Sequence, residues 1–265
     1  MKDIFKVFIL VLLCQFYQTH AQEFQGLAVY ELKLVEGIEP KIDGDNQNEI
    51  KNKAIIESMK VLSRRKRIFE LKFNKTESVY QEEEQLDLPT APTKGIAVKM
   101  ISTGFGKTYK NLVKKEEIIE RDLLSKAFLV TEPLQEIDWK LESETKNIGD
   151  FTCFKATATF PVSDIDIEQR NNNSILSANT ERTPRKIMVW YTPEIPVNHG
   201  PGDLWGLPGL ILEVNDGKII TLCSKVVLNT KDKMKIEVPL KGTVISQNAY
   251  DKLEREKMLE IKSRN

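Results

Sequence analysis

Most candidate chemistry in this chain turns on His199. There are only two histidines, and the other, His20, lies within the first 21 residues. A Ser-His-Asp triad would have to use His199 as its base, and no multi-histidine zinc site can be built within one chain. Glu194 and Asp203 flank it and are the carboxylates that a catalytic or weak metal-binding loop would recruit. A solvated turn accounts for His199 with fewer assumptions. The sequence contains no Gly-x-Ser-x-Gly elbow, phosphate-binding glycine loop, dinucleotide fingerprint or calcium loop. Its many carboxylates show no spacing that singles out an acid–base pair. No catalytic residue, metal ligand or cofactor is assigned, and the sequence leans away from an enzyme.

The richest stretch is Trp190–Val214, WYTPEIPVNHGPGDLWGLPGLILEV. From Pro193 to Gly209 it holds eight glycines or prolines, out of 13 and 11 in the chain. Prolines set φ and glycines permit positive φ, so this density dictates a fixed, irregular backbone. Trp190, Tyr191, Ile195, Leu204, Trp205 and Leu207 are embedded in it, so the segment packs on something. One reading is a self-packed crossover that closes one end of a sheet. A sharper one is a rim or lid over an apolar cavity, with Trp205 and Leu207 on the ligand side. Trp190, Tyr191, Trp205, Gly206, Leu207, Pro208 and Gly209 are therefore the candidate ligand-binding or structural residues.

The elements that must position this stretch are strands. Period-two apolar patterns run over 26–35, 67–74, 127–134, 137–145, 151–160, 186–192, 210–216, 219–228 and 235–240. Asn215-Asp216-Gly217 between two apolar runs is the best hairpin signal. Helices are expected over 49–62, with Ile55, Met59 and Leu62 on one stripe, and over 248–262. The second places Tyr250, Leu253, Met258 and Ile261 on one face, with Asn248 as N-cap and Asp251/Arg255 as an i,i+4 pair. Successive strands without long intervening helices imply a mainly β fold: an antiparallel, strongly curved sheet or an open half-barrel or barrel. One or two helices pack on it, including a C-terminal one, and the half-barrel of periplasmic lipoprotein carriers serves as analogy. Residues 22–265 form a single domain with mobile loops near 86–95 and 163–185. The charge runs at 64–67 and 82–84 read as solvated edges or loops.

Residues 1–21 read as a secretory signal peptide. Lys2 and Lys6 precede the apolar run 7–14, and Thr19-His20-Ala21 supplies a cleavage site. No later segment approaches the roughly 18–20 apolar residues of a membrane span. Cys14 raises the alternative of lipidation, although Leu12-Leu13 depart from the usual small residues before such a cysteine. Two cysteines remain, Cys153 and Cys223, both in strand-like runs and both in phase with polar neighbours. A bridge between them on the polar face is one outcome, two free thiols the other. The 39 Lys+Arg equal the 39 Asp+Glu, which argues against nucleic acid as a partner.

Gly206-Leu207-Pro208-Gly209-Leu210-Ile211 resembles the hexapeptide that names the GLPGLI family of exported Bacteroidetes proteins. Residues 190–196, Gly200-Pro201, Trp139-Lys140, 148–156 and the opening strand over 26–30 are similar to that family's pattern as well, over nearly all of the mature chain. Trp205, directly before the hexapeptide, departs from it. The resemblance implies an exported protein of a Gram-negative envelope, periplasmic or outer-membrane associated. It implies no established activity, so no catalytic residue is carried over. The expected function is non-catalytic binding of a hydrophobic ligand or lipidated partner. The alternatives are an interaction protein that docks on an outer-membrane transporter or receptor, and an enzyme using His199.

Overall fold

The computed structural model describes residues 24–34, 67–83, 106–161, 184–217, 219–230 and 232–263. The expected signal peptide with Cys14, the helix over 49–62, the loop near 86–95 and all but the last two residues of the loop near 163–185 lie outside the described residues. Twelve strands form one sheet: β1 (Gln25–Leu34), β2 (Arg67–Asn74), β3 (Glu77–Glu82), β4 (Thr108–Asn111), β5 (Glu116–Leu123), β6 (Lys126–Pro133), β7 (Lys140–Ile148), β8 (Phe151–Phe160), β9 (Arg185–Thr192), β10 (Leu210–Asn215), β11 (Ile219–Leu228) and β12 (Thr243–Ile245). One helix, α1 (Gln247–Ser263), ends the fold. The order across the sheet is β12-β6-β5-β4-β3-β2-β1-β11-β10-β9-β8-β7.

Alternation explains the centre. In β2, Phe69, Leu71 and Phe73 point one way and are fully buried, while Glu70 and Lys72 point the other way and pair at 3.3 Å. Burying each such apolar side chain stabilises the fold by roughly 1.5–3 kcal/mol. Phe69 stacks on Tyr80 of β3 at 5.1 Å, and the Tyr30 hydroxyl donates to the Ile211 carbonyl at 2.7 Å, tying β1 to β10. Turn chemistry joins the strands. Asn74 Oδ1 accepts from the Thr76 and Glu77 amides between β2 and β3, and Asn215 and Asp216 side chains hold the β10–β11 turn as the sequence suggests.

The mainly β, largely antiparallel fold with a C-terminal helix is as expected; the half-barrel is not. The sheet is neither closed nor strongly curled. Its edges, β12 and β7, do not pair with each other. One pairing is parallel, β12 on β6. The run over 235–240 is not a strand: it passes outside the ladders, where Pro239 also lacks an amide to donate. β7 begins three residues later than the pattern over 137–145. The cap of α1 is Ser246, whose Oγ accepts from the Ala249 amide at 3.3 Å, and not Asn248. β3, β4, β5 and β12 were not visible as strands.

Candidate functional site

Between β9 and β10 the chain makes a compact irregular loop. Its backbone bonds are internal: Val197 N to Ile195 O (2.8 Å), Gly206 N to Asn198 O (3.1 Å), Gly209 N to Leu207 O (2.8 Å) and Leu210 N to Ile195 O (3.1 Å). Asn198 Nδ2 adds a bond to the Leu207 carbonyl at 2.9 Å. Two glycines of the hexapeptide are required by geometry. Gly206 has φ +95°, and a Cβ on Gly209 would sit 2.2 Å from the Thr192 carbonyl oxygen.

The loop is pinned to the sheet at four places. Glu194 accepts from the Thr152 amide at 2.8 Å, and His199 Nε2 bonds the Asn74 carbonyl at 3.1 Å. Trp205 Nε1 donates to Gln135 O at 2.9 Å, while Trp139 Nε1 donates to Trp205 O at 2.8 Å. The fourth pin is Lys110 of β4, which is fully buried. Its ammonium donates to the carbonyls of Gly200 (2.9 Å), Gly202 (2.7 Å) and Leu204 (2.6 Å), one acceptor for each N–H. Its register neighbours are Ser78 on β3 and Glu117 on β5, so the three side chains share one face.

Burial governs the charges here. It lowers the Lys110 ammonium to about 8, against the opposing pull of Glu117 and Asp203. Burial raises the Glu117 carboxyl to about 7, with Lys110 acting the other way. His199 is pushed down to about 3 by burial and then by the Lys110 charge. An imidazole this buried, its Nε2 committed to a backbone carbonyl, is a poor general base near neutral pH. The charge bearing on it is Lys110, not Glu194 or Asp203. Among the described residues no cluster of three or more His, Cys, Asp or Glu could hold a metal ion.

Of the candidate residues, Trp190, Tyr191, Leu207 and Gly209 are buried, Trp205 is half-buried, and Gly206 and Pro208 are exposed. Leu207, at 1% exposure, packs with Tyr191, Leu204 and Ile211 in the core. Trp190 lies under the Lys146 ammonium at 4.5 Å, and that lysine also pairs with Glu213 at 2.6 Å. Cys153 and Cys223 are both buried free thiols in one core cluster, not on a polar face. Burial pushes them up to about 11 and about 12. They are not cross-strand neighbours, since β9 and β10 lie between β8 and β11.

Open space lies elsewhere. A cleft of about 360 Å³ runs between α1 and the β5–β6 hairpin, lined by Leu123, Leu124, Phe128, Leu253 and Ile261, with Lys126, Lys257 and Glu260. Phe128 meets Tyr250 edge-on at 5.7 Å at one end, so the helix is anchored there. No sequence pattern pointed to this place, because it depends on where the helix lies.

An open sheet carrying a packed motif loop and an apolar cleft under its helix defines a mainly β, largely antiparallel protein. Residues 139–213 match the model of a family described as "Protein of unknown function (Porph_ging)", which corresponds to the GLPGLI type. The matched segment contains the whole hexapeptide but is narrower than the resemblance read from the sequence. No curated protein matches the chain. Among solved structures, that of PNGF-II in space group C2 is similar in fold, with a TM-score of 0.50 at 15% identity. The alignment covers 88% of this chain and 33% of that one, so this chain spans about a third of its length. The P21 form of PNGF-II aligns at a TM-score of 0.49 with the same identity and coverage.

Proposed function

We propose that this chain is an exported, non-catalytic binding protein of the cell envelope, and that its hydrophobic ligand enters the cleft between α1 and the β5–β6 hairpin. The observation that carries the reading is Leu124. It stands in the two-residue turn of that hairpin at φ 52°, followed by Ser125 at φ 66°. Such a turn favours Asn-Gly or Asp-Gly, and a leucine there costs backbone energy. The cost is not offset by burial, since Leu124 is 49% exposed. It forms one wall of the cleft. Local strain at an apolar residue that lines an opening is the pattern of a binding wall.

The test is native mass spectrometry of the chain purified from its own cells, followed by solvent extraction, alongside Leu124→Asn. We expect a co-purifying apolar molecule that the variant loses, while the variant unfolds at a higher urea concentration. A bare mass for the native chain would sink the proposal, as would a variant that is destabilised yet keeps its ligand. A second reading, docking on an outer-membrane transporter or receptor, draws on Leu240 and Val244, 83% and 69% exposed beside the free edge of β12. Co-purification of such a protein, lost on Val244→Lys, would favour it.

A further inference from the structure

The cleft carries two lysines among its apolar side chains. On the hairpin, Leu123 and Lys126 are direct cross-strand partners on either side of the turn, so they leave the sheet on the same face. Leu123 and Phe128 cluster with Tyr250, which makes that face the one toward α1. Lys126 therefore starts on the helix side, two residues before Phe128. On the helix, Leu253, Lys257 and Ile261 follow one another at four-residue spacing and share a stripe. Each wall thus contributes a lysine where its pattern would otherwise place an apolar residue. Lys257 bonds Glu260 at 2.8 Å, and both are a little under half exposed. Lys126 has no ion-pair partner among the described residues. Of the charged side chains that line the cleft, two are lysines and one is a glutamate.

Resting on the cleft reading above, we infer that the ligand is an amphipathic anion: an unbranched alkyl chain among Leu123, Leu124, Phe128, Leu253 and Ile261, ending in a carboxylate held by Lys126 and Lys257. At about 360 Å³ the cleft lies at the lower end of the roughly 300–1,000 Å³ range of small-molecule sites. A carboxylate between two ammonium groups gains charge-assisted hydrogen bonds that an alcohol of the same length does not.

Calorimetric titration of the purified full chain with dodecanoate, 1-dodecanol and dodecylamine separates the possibilities. We expect dodecanoate to bind at least about tenfold more tightly than the alcohol, the size of one charge-assisted bond, and the amine not to bind. Lys126→Gln and Lys257→Gln alter exposed or half-exposed side chains and should each remove most of that preference while leaving alcohol binding as it was. Equal affinity for acid and alcohol would overturn the anionic head and leave the cleft standing, with both lysines merely covering apolar surface with their stems. Failure of all three probes would overturn the cleft reading itself.

Discussion

The loop at 199–204 and helix α1 cover the same face of the sheet. Lys110, which holds the loop, is the register neighbour of Glu117, and Glu117 shares its side of β5 with Leu123, which packs near Tyr250 of the helix. The loop has no regular structure, yet Ile195, Val197, Leu204 and Leu207 are all within 3% of full burial. The helix is regular for 17 residues, yet among the described side chains Tyr250 is the buried apolar residue it contributes and Leu259 is 54% exposed. Regularity and tightness are separate properties. Fixed φ values from prolines and glycines let the loop follow the sheet surface closely, whereas a straight helix touches a twisted sheet at one end and stands off at the other.

That contrast is broken most directly at Lys110. Lys110→Met strands three carbonyls, two of them buried, and we expect a loss of about 3 kcal/mol in urea unfolding. A loss under about 1 kcal/mol would mean the loop is held by its own contacts alone. Next come the hexapeptide glycines. Gly209→Ala should cost about 2 kcal/mol because its methyl meets the Thr192 backbone, and Gly206→Ala about 1 kcal/mol for positive φ alone. Thermal or urea midpoints that reverse this order would remove the close-approach argument. On the helix side, Leu253→Ala should cost only about 1 kcal/mol, below the usual range for buried leucines, because the residue is half-buried. A cost equal to that of Lys110→Met would erase the distinction between the two covers.

The smallest effect sharpens the electrostatics of the loop side. The Glu117 carboxyl, raised from 4.5 to about 7, keeps a proton in the native state that the unfolded chain has released. Its stabilising share is complete below pH 4.5 and is lost as pH rises through about 7. His199, lowered from 6.5 to about 3, acts in the opposite sense: the unfolded chain binds the proton, so stability falls as pH drops from 6.5 toward 3. Between 4.5 and 6.5 the two slopes oppose each other. Glu117→Gln removes one of them, so urea midpoints should then climb with pH across that window. An unchanged profile would place Glu117 in solvent.

Eight strands, the Asn-Asp-Gly turn and the C-terminal helix were legible because their side chains alternate or repeat with the period of the element. β4 and β5 were not. TYKN is four residues long, and EEIIERDL sets Glu117 and Arg121 on the same face as Ile119 and Leu123. Pattern reading assigns charged residues to solvent, and here a lysine lies at full burial. The motif loop was legible as a packed segment but not as to which way it faces: Leu207 suited a cavity wall as well as it suited a core. Leu124 left a weak signal, a leucine at a hairpin tip, whose meaning required the helix beside it.

What the sequence determined by itself is local backbone. Prolines and glycines between Pro193 and Gly209 set an irregular path, Gly206 and Gly209 permit the turn and the close approach, and alternating apolar residues make strands. What only the tertiary structure decided is how polar groups could be buried. Lys110 can lie inside because the carbonyl of Gly200, 90 residues later in the chain, accepts its proton beside those of Gly202 and Leu204. No window of sequence contains both partners, and an ammonium without them would have to stay in water.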